Sequence, residues 1–457
     1  MEMPEIAFPL SFESRMRDTL GDRWPAFAQA HGRPSPASIR INPYKSAVIR
    51  GDSSIPWATG GRYLAERPVF TLDPLFHAGA YYVQEASSMF LEQALRQSAD
   101  LSAPLTVLDL CAAPGGKSTH LLSLLSSESL LVSNEVIRSR ASILSENIQK
   151  WGQTNVVVTN SDPEHIGQFK ELFDVIVVDA PCSGEGLFRK DADAMTEWST
   201  DHVALCASRQ RRILSDIWPA LKTGGVLIYC TCTYNPAENE DNLNWLANER
   251  SVSFFKLTLP EDSGIEEVTR GGATGYRFYP HQVKGEGFFL SVVRKEPGET
   301  SAHTRPAKPG KKAFAAPSKK VEEKVGSWLK DREGKMLVQF QDIILVIPER
   351  WKSLIEILSE RLHVIHAGVS AGTIKHDKVI PEHALAISSI LDANIFQRVE
   401  VSEADALKFL RKEAVFFEGF EKGYTLVCYQ DVPLGWINML DNRANNLYPA
   451  EWRIRMR

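Results

Sequence analysis

Short apolar runs alternate with longer amphipathic segments between residues 105 and 293. The apolar runs, which predict buried strands, are TVLDL, SLLVSN, VVVT, FDVIVVDA and GGVLIYC. The segments between them predict helices near residues 118–125, 138–150 and 202–221. Strands that alternate with helices are typical of a parallel sheet covered on both faces. The pattern therefore predicts an α/β domain in which the carboxyl ends of the strands meet at one crevice.

The segments on either side of this domain follow other patterns. Residues 12–27 have the amphipathic pattern of a helix, and the run SIRINPYK alternates apolar and polar positions as a half-buried strand does. After the domain, YRFYP and GFFLSVVR predict an antiparallel hairpin at the sheet edge. Further on, KMLVQFQDIILVIP and LHVIHAGV predict a compact mixed domain, and GYTLVCYQDVPLGWINML predicts two strands around a Pro-Gly turn.

A chain of 457 residues is long enough for roughly two to four domains. The patterns divide it into a small amino-terminal module, the α/β domain, a flexible linker, a small accessory domain and a carboxyl-terminal α+β domain. The predicted boundaries are 1–92, 93–295, 296–322, 323–385 and 386–457, in that order. The linker is predicted from its high content of Pro, Ala, Gly and Ser.

Composition indicates a soluble globular protein of a reducing compartment. Hydrophobic residues make up 43% of the chain, and no apolar run approaches the length needed to cross a bilayer. The six cysteines have no regular spacing and no charged-then-apolar leader stands at the amino end, so we expect free thiols and a cytoplasmic location. Cys230 and Cys232 could join Cys111 in a metal site, but no second pair or His cluster completes a tetrahedron, so no metal is expected.

The net charge is −5, but positive charge is concentrated in two places. Residues 294–320 carry eight Lys or Arg against two Glu, which fits either a basic linker that contacts nucleic acid or a solvated tether. The carboxyl end combines arginines with aromatic residues, a mixture suited to phosphates and bases: Arg443, Arg453, Arg455, Arg457, Tyr448 and Trp452. A merely exposed tail, or one that faces a protein partner, would look similar.

The segment DLCAAPGGKS follows the first strand and opens a helix, which is the position of a ligand-binding loop. A phosphate-binding P-loop would need glycine at Cys111, five positions before Gly116, and the spacing does not match a dinucleotide fingerprint either. A ligand without a pyrophosphate fits better. Acidic residues end or follow the next three strands: Glu135, Asp162 and Asp179. A glycine turn with carboxylates at successive strand ends predicts a slot for a cationic or neutral nucleoside such as S-adenosylmethionine.

Two cysteines stand just after predicted strands, Cys182 in VVDAPCSGEG and Cys232 in LIYCTCTYNPAENE. Because the carboxyl ends of parallel strands converge, we expect both thiols in one crevice, where a covalent catalyst would place them. Residues 235–238, Asn-Pro-Ala-Glu, carry the signals of a helix start, and the amide dipoles of that helix would lower the pKa of Cys232. An inert strand-end cysteine is the alternative for Cys232, and the spacing leaves open which thiol is the nucleophile.

Three segments together, DLCAAPGGKS, DAPCSGEG and YCTCTYNPAENE, resemble the Sun-type RNA cytosine-5 methyltransferases. The similarity covers residues 93–295, and three motifs in the family's order make it specific. The long tail resembles the bacterial RsmF-like branch, which acts on small-subunit ribosomal RNA. The resemblance implies a class I, Rossmann-like methyltransferase domain that uses S-adenosylmethionine. It also implies that the amino-terminal module, with Arg40 and Asn42, and a PUA-like carboxyl-terminal domain bind RNA.

The same resemblance assigns roles to individual residues. Cys232 becomes the nucleophile that adds to cytosine C6, and Cys182 helps to resolve the adduct. The implied cofactor-binding residues are Cys111, Ala112, Ala113, Pro114, Gly115, Gly116, Lys117, Glu135, Asp162 and Asp179. Lys117 and Asp179 would also lie near the target base. The same chemistry on transfer RNA and a catalytically silent RNA-binding assembly factor are the alternatives, and we expect a monomer.

The target base must leave its stack to reach such a crevice. Residues 184–190 form a glycine-rich loop that ends in Arg189 and Lys190. We expect this loop to hold the phosphates that flank the unstacked base. A plain connection between a strand and a helix is the alternative.

Overall fold

The structure is a computed structural model that describes residues 7–49, 51–298, 314–376, 378–415, 417–441 and 443–456. Its amino-terminal module packs helices beside a small antiparallel sheet of order β2-β3-β1-β4. The elements are α1 (Leu10–Leu20), α2 (Trp24–His31), β1 (Ala37–Ile41), β2 (Ser53–Ile55), β3 (Ala58–Leu64), α3 (Pro74–His77), β4 (Tyr81–Val83) and α4 (Leu91–Ser98). The helical pattern of residues 12–27 is divided between α1 and α2, because Gly21, with φ of 54°, ends the first helix.

Strand β1 is buried on both faces, which corrects the expectation that Arg40 and Asn42 contact RNA. The Arg40 side chain is 1% exposed, donates to the Thr119 hydroxyl at 2.6 Å and lies 4.5 Å from the ring centroid of Trp151. The Asn42 amide donates to the carbonyl oxygens of Gly79 and Trp151 at 2.9 and 3.1 Å. Both side chains therefore join the amino-terminal module to the α/β domain, and RNA cannot reach them.

The α/β domain is built on the five strands that the apolar runs predict. They are β5 (Thr106–Asp109), β6 (Leu130–Asn134), β7 (Val156–Thr159), β8 (Phe173–Asp179) and β9 (Leu221–Thr231), paired in parallel in the order β9-β8-β5-β6-β7. The helices are α5 (Gly116–Leu124), α6 (Arg138–Trp151), α7 (Pro163–Gly167), α8 (Ala192–Glu197) and α9 (Thr200–Ile217). The strand order reverses between β5 and β8, so a crevice opens at their carboxyl ends.

Antiparallel strands extend this sheet beyond β9. The chain continues through α10 (Glu240–Glu249), β10 (Val252–Phe254), β11 (Glu266–Arg270), β12 (Ala273–Phe278) and β13 (Phe288–Lys295). Strand β13 pairs with β9 and with β12, which confirms the predicted hairpin, and β11 forms the outer edge. The connection between β12 and β13 lies at the same end of the sheet as the crevice.

The carboxyl-terminal region contributes two further sheets, of orders β14-β15-β17-β18 and β19-β20-β21-β22. The elements are α11 (Lys319–Gly326), β14 (Lys335–Phe340), β15 (Ile343–Pro348), α12 (Lys352–Arg361), β16 (Val364–Ala367), β17 (Val369–Lys375), β18 (Lys378–Pro381), α13 (His383–Ala386), β19 (Gln397–Glu400), α14 (Glu403–Leu410), β20 (Gly423–Tyr429), β21 (Val432–Met439) and β22 (Ala444–Asn446). The LHVIHAGV run predicts strand β16. This strand belongs to neither of these two sheets and instead pairs antiparallel with β7 of the α/β domain. The accessory region is therefore joined to the α/β sheet by backbone hydrogen bonds.

The final hairpin has a different turn from the predicted one. Strands β20 and β21 are connected by Gln430 and Asp431, with φ of 49° and 64°. Positive φ at both positions matches a two-residue hairpin loop to the right-handed twist of its strands. Pro433 and Gly435 lie inside β21, so the expected Pro-Gly turn is wrong.

The carboxyl-terminal cluster of arginines and aromatic residues is only partly exposed. Arg443, Arg453 and Arg455 are exposed, whereas Tyr448 is fully buried and cannot stack on a base. Arg457 and residues 299–313 of the predicted basic linker lie outside the described residues. Within the described ranges, no helix combines the length and apolar character that a membrane crossing requires.

His383 lies buried where the carboxyl-terminal region meets the α/β domain. Its ring packs edge-on against Tyr448 and Trp452, with centroids 5.0 and 5.1 Å apart. Neither ring nitrogen has a hydrogen-bond partner in the part of the chain that the structure describes. Burial, together with the ammonium groups of Lys150 and Lys45, lowers the pKa of His383 to about 3. The folded protein therefore resists protonation of this ring.

We expect Arg40→Met to lower the free energy of unfolding by about 2–3 kcal/mol, because buried acceptors lose their donor. Urea denaturation monitored by tryptophan fluorescence measures this change. Arg33→Met, at an exposed position, should change stability by less than about 0.5 kcal/mol. Unchanged stability together with weaker RNA binding in Arg40→Met would restore the RNA-contact assignment.

Acid should destabilise the protein partly through His383. Its folded-state pKa is lower than its unfolded-state value of about 6.5, so its stabilising contribution is complete above that pH and is lost as pH falls toward 3. In His383→Phe, the slope of unfolding free energy against pH should fall by up to about 1.4 kcal/mol per pH unit in this window. Urea denaturation across the window tests this, with His165→Phe, at an exposed position, as the control that keeps the wild-type slope.

Candidate functional site

The predicted ligand loop leaves the carboxyl end of β5 and leads directly into α5. Gly115 has φ of 116°, in the left-handed region that glycine adopts without strain. Two side chains of α6 hold the loop, since Arg140 donates to the Ala113 carbonyl at 2.7 Å and Asn147 donates to the Pro114 carbonyl at 2.8 Å. The loop is therefore fixed from the α6 side and leaves its other side to the crevice.

Two of the predicted carboxylates follow the neighbouring strands β6 and β7. One oxygen of Glu135 accepts from the Ile137 N–H at 2.9 Å. Its other oxygen lies 3.4 Å from the Arg140 guanidinium and has no hydrogen-bond donor among the described residues. Asp162 caps the first turn of α7, and Pro163 rather than Asp162 lines the crevice. Glu135 thus has an oxygen available for a ligand hydroxyl, whereas ligand contact by Asp162 stays a prediction.

Another carboxylate, Asp109, was not singled out from the sequence although it ends the first strand. It is fully buried, and its Oδ2 accepts from the Ser118 hydroxyl at 2.7 Å. Its Oδ1 has no partner within the described residues. Burial raises the pKa of Asp109 to about 7, against the opposing effects of Ser118 and Lys117. This oxygen is buried, and Asp109 does not line the crevice.

Lys117 and Asp179 form an ion pair inside the crevice, with Nζ and Oδ2 2.7 Å apart. Lys117 lies in the first turn of α5 and Asp179 ends β8, so the adjacent strands β5 and β8 bring them together. Burial opposes the charge on Lys117, but Asp179, Cys230 and Asp109 together outweigh that effect and raise the pKa of Lys117 well above its usual value. The amine therefore stays charged, 5.3 Å from the ring centroid of Phe288.

Cys182 and Cys232 are free thiols in direct contact, with their sulfur atoms 3.1 Å apart. They follow β8 and β9, which are adjacent and parallel, so the predicted convergence of the two cysteines is confirmed. The neighbouring Cys232 sulfur and burial raise the pKa of Cys182 well above its usual value. Cys182 therefore remains protonated near neutral pH and can donate its S–H to Cys232.

The helix predicted to begin at Asn235 begins later. Helix α10 starts at Glu240, and residues 236–239 form turns. The Asn235 side chain accepts from the Ala237 N–H at 3.1 Å, as an N-cap residue does, but the residues that follow form turns before the regular helix. The structure therefore corrects the predicted start of this helix, which lies at Glu240.

Arg189 is part of the wall of the crevice and is not a phosphate ligand. Its side chain is 5% exposed. It donates to the two carboxylate oxygens of Glu286 at 2.8 and 3.0 Å and to the Gly285 carbonyl at 2.6 Å. Because these bonds occupy the guanidinium, the expectation that it holds RNA phosphates is wrong. Lys190 is exposed, and its phosphate contact stays a prediction.

One wall of the crevice comes from segments that sequence reasoning did not connect with the site. Glu85 comes from the amino-terminal module, and Glu286 and Gly287 come from the connection between β12 and β13. The Glu286 N–H donates to Glu85 at 2.8 Å. A Cβ at Gly287 would stand 2.2 Å from the Tyr234 hydroxyl, so only glycine allows this approach. The glycine-flanked stretch KGEG, residues 284–287, is the sequence feature that could have indicated this wall of the crevice.

These segments enclose a cavity of about 620 Å³. Of the predicted site residues, those that line it are Cys111, Ala113, Pro114, Lys117, Glu135, Asp179, Cys182 and Cys232. Those that do not are Ala112, Gly115, Gly116 and Asp162. Burial raises the pKa of Cys111 well above its usual value, which makes this thiol unreactive. Among the described side chains, no group of three His, Cys, Asp or Glu could hold a metal ion.

Three protein-family models match the chain. The model described as 16S rRNA methyltransferase RsmB/F matches residues 99–294. The N-terminal domain of 16S rRNA methyltransferase RsmF matches residues 8–86, and the methyltransferase RsmF PUA domain matches residues 396–454. The matches therefore include the module, the α/β domain and the last sheet.

Curated relatives are similar over nearly the full length. Ribosomal RNA small subunit methyltransferase F of Erwinia tasmaniensis is 30% identical, over 98% of this chain and 97% of the relative. The protein of that name from Escherichia coli O9:H4 is 31% identical, over 99% of this chain and 98% of the relative. Among solved structures, a methyltransferase homolog from Pyrococcus horikoshii is 28% identical with a TM-score of 0.54, over 63% of this chain and 96% of that chain.

Proposed function

Since the chain belongs to the RsmB/F family of 16S rRNA methyltransferases, we propose that it methylates C5 of cytidine in small-subunit ribosomal RNA. The proposed methyl donor is S-adenosylmethionine, and the proposed reaction passes through a bond between Cys232 and cytosine C6. The 3.1 Å contact between Cys182 and Cys232, inside the cavity that the ligand loop also lines, carries the proposal. The names of the curated relatives support small-subunit ribosomal RNA as the substrate.

The residues around the ligand loop fit S-adenosylmethionine. The Glu135 oxygen that has no hydrogen-bond donor among the described residues suits a ribose hydroxyl. Exposed apolar side chains at Val136 and Ile137 line the same part of the cavity and suit a purine face. When bound, S-adenosylmethionine supplies an electrophilic methyl group on a sulfonium centre. The loop and Glu135 would hold it.

Cys232 supplies the nucleophile in the proposed reaction. Cytosine C5 is too weak a nucleophile to accept a methyl group directly. Addition of the Cys232 sulfur to C6 forms an S–C6 bond and makes the neighbouring C5 nucleophilic. Cys182, which stays protonated, donates to the sulfur of Cys232 and stabilises its negative charge before attack. The resemblance of YCTCTYNPAENE to the Sun-type family favours Cys232 over Cys182 as the attacking thiol.

Lys117 and Asp179 stabilise the ring in the proposed mechanism. Addition of sulfur places negative charge on N3 and O2 of the base. The charged Lys117 amine, held by Asp179 at 2.7 Å, provides a positive donor within the same cavity. Lys117 can donate a hydrogen bond to the negative charge that develops on the base.

Cys182 resolves the adduct in the proposed cycle. After methylation, the C5 proton must leave and the S–C6 bond must break, with its electron pair returning to Cys232. Once Cys232 is bonded to carbon, Cys182 loses its hydrogen bond to the Cys232 sulfur, the largest of the effects that raise the pKa of Cys182. It can then exchange its proton with water in the cavity and act as the base at C5.

RNA binding by the amino-terminal module and the PUA domain remains part of the proposal. The target cytidine must be unstacked to reach the thiols. Lys190 and the exposed carboxyl-terminal arginines are candidate phosphate contacts. A monomeric state and a cytoplasmic location are likewise proposed.

Substitution of each thiol tests the mechanism. Cys182→Ala should accumulate a covalent protein–RNA species, because the adduct forms but is not resolved, and Cys232→Ala should form none. Denaturing gel electrophoresis after incubation with small-subunit RNA and S-adenosylmethionine detects the species as a slower band. Cys428→Ala, a buried cysteine of the carboxyl-terminal region, is the matched control and should behave like wild type. An adduct with Cys232→Ala and none with Cys182→Ala would exchange the two roles.

Bisulfite sequencing identifies the modified nucleotide and the RNA class. Protected cytidines in small-subunit ribosomal RNA support the proposal. Protection confined to transfer RNA would favour the alternative substrate. Salt-sensitive RNA binding without any protection would favour an assembly factor that has no turnover.

Glu135→Ala should weaken S-adenosylmethionine binding by about tenfold to a hundredfold, the loss of one hydrogen bond to a charged acceptor. Isothermal titration calorimetry measures the dissociation constant. Glu164→Ala, at an exposed position after Asp162, should retain wild-type affinity. Unchanged affinity in folded Glu135→Ala would remove this carboxylate from the cofactor site.

A further inference from the structure

A buried carboxylate joins the two loops that carry the thiols. Glu238 accepts from the Ser183 N–H at 2.8 Å and from the Ser183 hydroxyl at 2.5 Å. It also accepts from the Thr233 hydroxyl at 3.2 Å. Ser183 directly follows Cys182, and Thr233 directly follows Cys232. Glu238 is therefore bonded to the residue next to each thiol.

A third segment belongs to the same network. Gln210 of α9 donates to Glu238 at 3.3 Å and to the Pro181 carbonyl at 3.0 Å, so the residue before Cys182 is also held. Glu238 is 0% exposed. Burial of a carboxylate costs several kcal/mol unless hydrogen bonds offset it. Here the donors that offset this cost lie on the thiol loops and on α9.

We propose that Glu238 is a positioning residue that sets the separation of the Cys182 and Cys232 sulfurs, and through it the rates of adduct formation and resolution. The inference rests on the proposed function, since the separation affects turnover only if both thiols act on one base. One bound base must present C6 to Cys232 and the C5 proton to Cys182. A misplacement of about 1 Å can lower such a rate by about a hundredfold.

Glu240 provides a matched control two residues further along the chain. It is also buried, with 2% exposure, but its carboxylate accepts from Arg277 at 2.6 and 2.7 Å. Glu238→Ala and Glu240→Ala therefore remove the same group from neighbouring buried positions. Only Glu238→Ala removes the acceptor of Ser183 and Thr233.

The sulfur separation can be measured without methyl transfer. Oxidised glutathione reacts with two adjacent protein thiols to give one protein disulfide and two molecules of reduced glutathione. At half conversion, the squared concentration of reduced glutathione divided by the concentration of oxidised glutathione equals the effective concentration of one thiol beside the other. Peptide mass spectrometry identifies the pair as Cys182 and Cys232. An equilibrium readout is chosen because Glu238, after the neighbouring sulfur and burial, also contributes to the raised pKa of Cys182 and so affects rates.

In Glu238→Ala, the effective concentration measured at half conversion should fall by about tenfold, which means that more oxidising conditions are needed. The kcat of this variant for methyl transfer should fall by about tenfold to a hundredfold, with the dissociation constant for S-adenosylmethionine unchanged. Glu238→Gln should stay near wild type in both measurements, since an amide can accept from the Ser183 N–H and donate to the two hydroxyls. Loss of kcat in Glu238→Gln with a wild-type midpoint would instead indicate that the charge acts in proton transfer and would overturn the positioning role. Glu240→Ala should keep the wild-type midpoint.

Ser183→Ala is a milder second variant for the case that Glu238→Ala does not fold, and its midpoint should shift in the same direction. A wild-type midpoint in a folded Glu238→Ala or Ser183→Ala protein would overturn the inference, as would wild-type thiols that do not pair at all. A shifted midpoint in a protein whose wild-type form transfers no methyl group would contradict the proposed function and leave the positioning role intact.

Discussion

Parallel pairing of β8 with β9 is the constraint on which the thiol site depends. Asp179 at the end of β8 is in register with Cys230 in β9, so the chain leaves both strands at the same level of the sheet. Cys182 and Cys232 follow within a few residues and meet at 3.1 Å. Pairing of β5 with β8 likewise brings Lys117 and Asp179 together, because Lys117 follows β5 and Asp179 ends β8. The backbone hydrogen bonds of three strands thus bring reactive groups together from distant parts of the sequence.

Segments outside the parallel sheet complete the frame around this site. Glu185, in the loop after Cys182, accepts from Arg15 of α1 at 2.6 Å and from the Tyr234 N–H at 3.2 Å. The amino-terminal module is therefore bonded to the loop after Cys182, and Glu185 connects that loop to the one after Cys232. The Glu185 carboxylate is fully buried, and Arg15 of the module neutralises its charge. The module therefore stabilises the site, in addition to any role in RNA binding.

Electrostatic compensation explains which of the charged residues can act on a ligand. Arg189 is matched by Glu286 inside the wall, so its charge supports the fold. Lys117 is also buried and paired, but its partner Asp179 is 36% exposed and lines the cavity. A bound base can therefore reach that pair and cannot reach Arg189. Lys117 and Arg189 are both basic, so their charge in the sequence did not show which of them lines the cavity.

The sequence by itself determined the strand order along the chain, the loop that opens α5, and the positions of Cys182 and Cys232 after β8 and β9. These features follow from local periodicity and from the geometry of parallel sheets, which require no knowledge of distant contacts. Only the tertiary structure decided that Arg40 and Arg189 are buried, that the helix signal at Asn235 is overridden, and that Glu238 bonds to both thiol loops. Burial and hydrogen-bond partners depend on segments far apart in sequence, and a local pattern carries no information about which segment will cover it.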